Sequence, residues 1–180
     1  MDRGIFLNQK YKILTVILFI AITLTGYYGY EQYNLSNTQK YLQTSLNHKT
    51  AADNYSNQAI AYENKKDYSN AVIMLQKSSE EISKAIEMDN NALTHANSIY
   101  KDYINNDILL LQTTSKLLDF QIYLDQMKNN DLNPGQEKAN PTDLYLHINQ
   151  LIDDISVYKN NANKIISANA DKFKFLNSSS

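Results

Sequence analysis

Without cysteine, this 180-residue chain has to draw any chemistry from its 3 His, its 19 Asp plus Glu, its lysines and its 14 Tyr. The lack of Cys removes disulfides, thiolate zinc sites and cysteine nucleophiles. His48, His95 and His147 are far apart, and none is joined to a second histidine at metal-ligand spacing; a three-histidine site would have to be assembled by folding. As single residues they read as surface or half-buried helix positions. Glu80-Glu81 and Asp153-Asp154 are paired carboxylates, but neighbours on a helix point about 100° apart, which suits solvation more than shared acid–base work. No Gly-rich phosphate loop, nucleophile elbow or HExxH occurs. The sequence therefore assigns no catalytic, cofactor-binding or metal residue, expects no cofactor, and reads as a non-enzyme. Tyr55, Tyr62, Tyr68, Tyr100 and Tyr103 are placed either to line an aromatic ligand pocket between helices or to pack in a core with each hydroxyl at its edge.

The stretch that decides where such residues work is Ile13 to Gly26, ILTVILFIAITLTG, uncharged and preceded by Lys10 and Lys12. Taken through Tyr30 it reaches 18 residues, roughly 27 Å of helix, close to the hydrocarbon thickness of a bilayer. Tyr27, Tyr28 and Tyr30 suit the headgroup layer at its far end. Ile13, Leu14, Val16, Ile17, Leu18, Phe19, Ile20, Ile22 and Leu24 are the anchoring side chains. Arg3, Lys10 and Lys12 before the run place residues 1–12 in the cytoplasm and 31–180 outside the cell membrane by the positive-inside rule. A cleaved signal peptide is the rival reading, but a cut after Gly26 or Gly29 would put Leu24 or Tyr27 at −3, where small residues belong.

Beyond residue 30 there are 14 Lys against 18 Asp plus Glu, a balance of −4 with the signs interspersed, so no basic face for nucleic acid is expected. About 150 residues suffice for one domain with its own core. With 4 Gly and 2 Pro in the whole chain, long uninterrupted helices are expected. The wealth of Asn is given little functional weight; Asn34, Asn54 and Asn177 stand in Asn-x-Ser sequons that a glycosylating host could use.

Helical periodicity runs through Leu35, Leu42, Leu46, Ala52, Tyr55, Ala59 and Tyr62, weakest over polar Gln43 to Asn54, and the anchor helix can run straight into it unless Tyr-Tyr-Gly-Tyr hinges. A second helix opens at Asp67 as N-cap and runs through Ala71, Leu75, Ile82 and Ile86, with a turn expected at Met88-Asp89-Asn90-Asn91 or a helix continuing through it. A third, with a broad apolar face, carries Tyr100, Tyr103, Ile104, Ile108, Leu111, Leu118 and Ile122. Residues 129–140 form the expected loop. The last helix starts with Asn140 as N-cap, Pro141 and Asp143, and its stripe is expected to reach Phe173; 177–180 fray.

Tyr55, Ala59 and Tyr62, followed across Lys-Lys-Asp-Tyr by Tyr68, Ala71 and Leu75, resemble one tetratricopeptide helix-turn-helix unit, and Lys84 to Ala92 looks like the phrase that closes such a unit. Here that phrase comes seven residues late and lacks the terminating proline. The resemblance, over residues 55–92, implies a protein-interaction hairpin and no catalysis.

The expectation is an all-α protein: an N-terminal transmembrane signal-anchor helix (13–30), then an extracytoplasmic antiparallel bundle, or coiled coil, of about four helices (31–176). Its partners would be membrane lipid and a protein of unknown identity, with no nucleic acid. Its role would be a scaffold or accessory interaction subunit; the alternative is a ligand-sensing bundle that signals through a membrane partner.

Overall fold

The computed structural model describes the backbone of residues 3–129 and 140–177, without the side chains of 3–18, 20, 141 and 177. The expected loop falls almost wholly on 130–139, outside the described residues. Four helices follow one another: α1 (Arg3–Glu63), α2 (Tyr68–Leu93), α3 (Ser98–Asn129) and α4 (Pro141–Ala168), then a short 3-10 turn over Lys174–Asn177. No strand occurs among the described residues. Each helix packs on the next, and the final turn returns to α1.

Small residues set how close α1 and α2 come. Thr38, Ser45, Ala52 and Ala59 recur every seventh position on α1, Ala71, Ser78, Ala85 and Ala92 do so on α2, and all eight are buried. A seven-residue repeat keeps one seam facing its partner along the whole length. Ser45 Oγ donates to the Ala85 carbonyl at 3.2 Å and Ser78 Oγ to that of Ala52 at 2.9 Å, which fixes the antiparallel register. The polar stretch Gln43 to Asn54 is helical for this reason: its small residues are the seam. α3 lies parallel to α1 across α2, with Lys49 on Asp107 and Gln121 on Glu63.

The hairpin turn is a Schellman motif. Asp67 N–H donates to the Tyr62 carbonyl and Lys66 N–H to that of Glu63, with Lys66 in the left-handed region at φ 59°. Asp67 then caps α2 by accepting from Asn70 N–H, and Asn140 caps α4 by accepting from Thr142 N–H, both as the sequence indicates. The turn expected at residues 88–91 is helix instead. α2 runs to Leu93 because Asp89 is buried against α3 and caps nothing; the chain turns at residues 94–97, where the Asn97 side chain accepts from Tyr100 N–H.

α1 is 61 residues long, roughly 90 Å, and passes through Gly26 and Gly29 without a hinge. Its described side chains are exposed up to Tyr33, and the bundle closes around it only from Asn34 onward. Among the described residues no helix is long and apolar enough to cross a membrane. Of the expected anchor, Ile13, Leu14, Val16, Ile17, Leu18 and Ile20 have side chains outside the described set, while Phe19, Ile22 and Leu24 are exposed.

α4 ends at Ala168, short of the stripe expected through Phe173, because Asn169 turns its amide back onto the Ile165 carbonyl. Phe173 then inserts as a plug, 1 % exposed, with its ring 5.1 Å from Tyr100 and 5.0 Å from Tyr103. Phe173→Leu keeps most of the volume but loses both ring contacts. It is expected to lower stability by about 1 kcal/mol in urea melts.

Candidate functional site

The predicted interaction hairpin splits into seam and surface. Ala59, Ala71 and Leu75 are buried between α1 and α2, where they hold the helices together and are not offered to a partner. Tyr55, Tyr62 and Tyr68 are half-buried, each with a lysine ammonium over its ring: Lys77 at 5.7 Å, Lys65 at 5.9 Å and Lys128 at 5.0 Å. They do not meet Tyr100 and Tyr103, which sit towards the other end of the bundle around Phe173, so the five tyrosines form no common pocket.

A feature that the sequence reading missed lies at the middle of the bundle. Two apolar clusters, one around Leu42, Tyr100 and Phe173 and one around Ala52, Leu75 and Leu111, are separated by a polar layer. It consists of Ser45 and Lys49 from α1, Asp89 from α2, and Tyr103 and Asp107 from α3. Lys49 Nζ lies 2.5 Å from Asp107 Oδ2, and the Asp107 side chain is 4 % exposed. Asp89 is fully buried, and neither of its carboxylate oxygens has a hydrogen-bond partner. Burial, with the Asp107 charge next to it, pushes the Asp89 carboxyl up to about 8, so it is a neutral acid at neutral pH. Burial and then Asp107 also drive the Tyr103 hydroxyl well above its ordinary value.

Two smaller polar groups flank this layer. His48 Nδ1 and Lys84 Nζ both reach Glu81 at 2.6 Å and hold its carboxyl below the usual range, the lysine more than the histidine. Glu81, expected to be solvated, instead ties α1 to α2. At the far end, Asp125 is fully buried with Lys128 on one oxygen and no partner on the other; burial and then Asp125 raise the Glu63 carboxyl. Asp143 stands one turn before His147, a spacing that metal sites can use, but His147 Nδ1 faces the Asp143 backbone carbonyl at 2.8 Å. Among the described residues no three His, Asp or Glu side chains gather as they would around a metal ion.

Where α1 meets the α2–α3 turn, a cleft of about 310 Å³ opens to solvent, lined in part by Tyr27, Tyr30, Glu31, His95, Asn97 and Tyr100. Its inner wall is fixed. The Tyr100 hydroxyl donates to the Lys172 carbonyl at 2.7 Å and accepts from Gln39 Nε2 at 3.3 Å. His95 stacks on Tyr41, meets Tyr33 edge-on, and lies 3.3 Å from Asn34 Oδ1.

Asp89, Asp107 and Asp125 are buried between the helices, and the Lys49–Asp107 pair ties α1 to α3. The cleft, by contrast, is open and has room for a ligand. Compared with family models, curated proteins and solved structures, the chain finds no match.

Proposed function

We propose that this protein is a non-catalytic, single-pass membrane protein that holds a helical interaction module outside the cytoplasmic membrane, with residues 1–12 in the cytoplasm. One observation carries the reading. α1 leaves the bundle as a rod whose described side chains from Phe19 to Tyr33 are all exposed, Phe19, Ile22 and Leu24 to 68, 61 and 63 %. Apolar side chains this open to water mark a surface meant for another medium, and they continue the apolar sequence that begins at Ile13. Tyr27, Tyr28 and Tyr30, also exposed, lie where that medium would give way to water.

The partner-binding role rests on the other end. α4 packs on α3 and leaves Tyr145, Leu146, Ile152 and Val157 exposed, a second apolar set suited to a protein partner. The tetratricopeptide-like hairpin is the frame of this module: its small residues Ala59 and Ala71 let α1 and α2 approach closely.

The lack of native cysteine makes a direct test simple. Single-cysteine variants Asp2→Cys and Asp53→Cys are treated in intact cells with a membrane-impermeant maleimide. Asp53→Cys should label at once and Asp2→Cys only after permeabilisation, with both chains resisting alkaline extraction. Labelling of both in intact cells, or release by alkali, would sink the anchored reading. A tagged chain purified in mild detergent should bring down a stoichiometric protein, and Leu146→Asp should release it.

A further inference from the structure

We propose that the cleft between α1 and the α2–α3 turn binds an organic ammonium group, the head of a zwitterionic phospholipid or a free amine of the same shape. The inference rests on the membrane reading for its lipid source and on the cleft itself for its chemistry.

Charge decides the class of ligand. Glu31 is the single charged side chain of the described lining, which includes no Lys or Arg. An anion would meet that carboxylate without a compensating cation. A purely apolar guest would desolvate Glu31, Asn34 and Asn97 without giving them partners. An ammonium group has what the lining offers: a carboxylate to pair with, and the rings of Tyr27 and Tyr30, whose faces attract cations. The wall opposite is pre-organised, with His95 held between two tyrosine rings and the Tyr100 hydroxyl fixed by two hydrogen bonds. Little ordering is then left for a ligand to impose.

Position favours the lipid. Tyr27 and Tyr30 end the apolar stretch that begins at Ile13, so with that stretch in a bilayer the mouth of the cleft lies among the headgroups. A cleft of about 310 Å³ accepts a headgroup while the acyl chains stay in the membrane beside α1.

The full chain is reconstituted in nanodiscs of phosphatidylglycerol mixed with phosphatidylethanolamine or phosphatidylcholine, then released for native mass spectrometry. The expected result is one zwitterionic lipid retained per chain in preference to phosphatidylglycerol. Glu31→Gln and Tyr30→Leu should each weaken this retention about ten-fold, and Asp53→Asn, an exposed site elsewhere on α1, should leave it unchanged. Choline chloride is titrated in parallel, with tyrosine ring resonances as readout. Displacement of the lipid by choline supports the same ammonium site with a free amine as a second source. Equal retention of all lipids together with no choline response, or a Glu31→Gln chain that binds as the native one does, overturns the proposal. A chain that never enters the nanodisc refutes the membrane reading instead. The choline titration then decides the cleft by itself: a response lost in Glu31→Gln supports it and no response overturns it.

Discussion

Between about pH 4 and pH 8 the bundle is expected to lose stability by up to about 1.4 kcal/mol for each pH unit, and Asp89→Asn is expected to remove that dependence. Asp89 is fully buried, with Asp107 beside it, Lys49 already committed to Asp107, and neither of its own oxygens hydrogen-bonded. Its carboxyl therefore keeps its proton in the folded chain up to about pH 8, whereas the unfolded chain releases it near 3.8. In that window the unfolded state binds fewer protons than the folded one, so rising pH favours unfolding. Below the window both states are protonated, above it both are ionised, and the slope ends at each side. The asparagine variant carries no titrating group there. Urea melts of both chains at pH 5, 6, 7, 8 and 9 should converge at the acid end and diverge towards pH 8, the variant being the more stable. Parallel curves would show that Asp89 finds a partner for its charge.

Lys49→Met is expected to destabilise the protein by about 3 kcal/mol at pH 7. Removing one member of a buried ion pair leaves the other charge uncompensated, a change that typically costs about 3–5 kcal/mol. Lys49 keeps 19 % of its side chain exposed, so water screens part of the loss and the lower end applies. Adding Asp107→Asn to Lys49→Met should recover most of the stability, and the double-mutant cycle separates the pair from the background. A single variant as stable as the native chain would mean that the ammonium contributes nothing to holding Asp107. Replacing the whole layer with apolar residues should give a bundle at least as stable but freer to slide in register, since a polar residue in a heptad core specifies alignment at some expense of stability.

The helices were legible because their signals are local. Asp67 and Asn140 announce their caps, Pro141 its first turn, and the scarcity of glycine and proline leaves the long rods uninterrupted. The polar layer was not read, although a trace of it was present. Leu75, Ile82 and Asp89 fall seven apart, as do Leu35, Leu42 and Lys49, so each charge occupies a position its neighbours give to apolar side chains. What the sequence withholds is that the three helices bring these exceptions to one level, since that depends on register between residues 18 to 58 positions apart. For the same reason the Asp-Asn-Asn run at 89–91 reads as a turn and the stripe through Phe173 as helix: both are local signals, overruled here by packing across the bundle. His48 and Glu81 likewise look solitary until α1 and α2 are laid side by side.

The unbroken course of α1 makes azimuth a property of this molecule. A helix turns 100° with each residue, so the direction in which the α4 surface faces is geared, through an unjointed shaft, to whatever grips the N-terminal arm. One residue inserted near Gly29 swings that surface by more than a quarter turn, whereas seven return it to within about 20° of its starting bearing while lifting it roughly 10 Å. A partner confined to a plane through the arm would thus feel insertions as a rhythm, and the two glycines mark where a joint could have been built and was not.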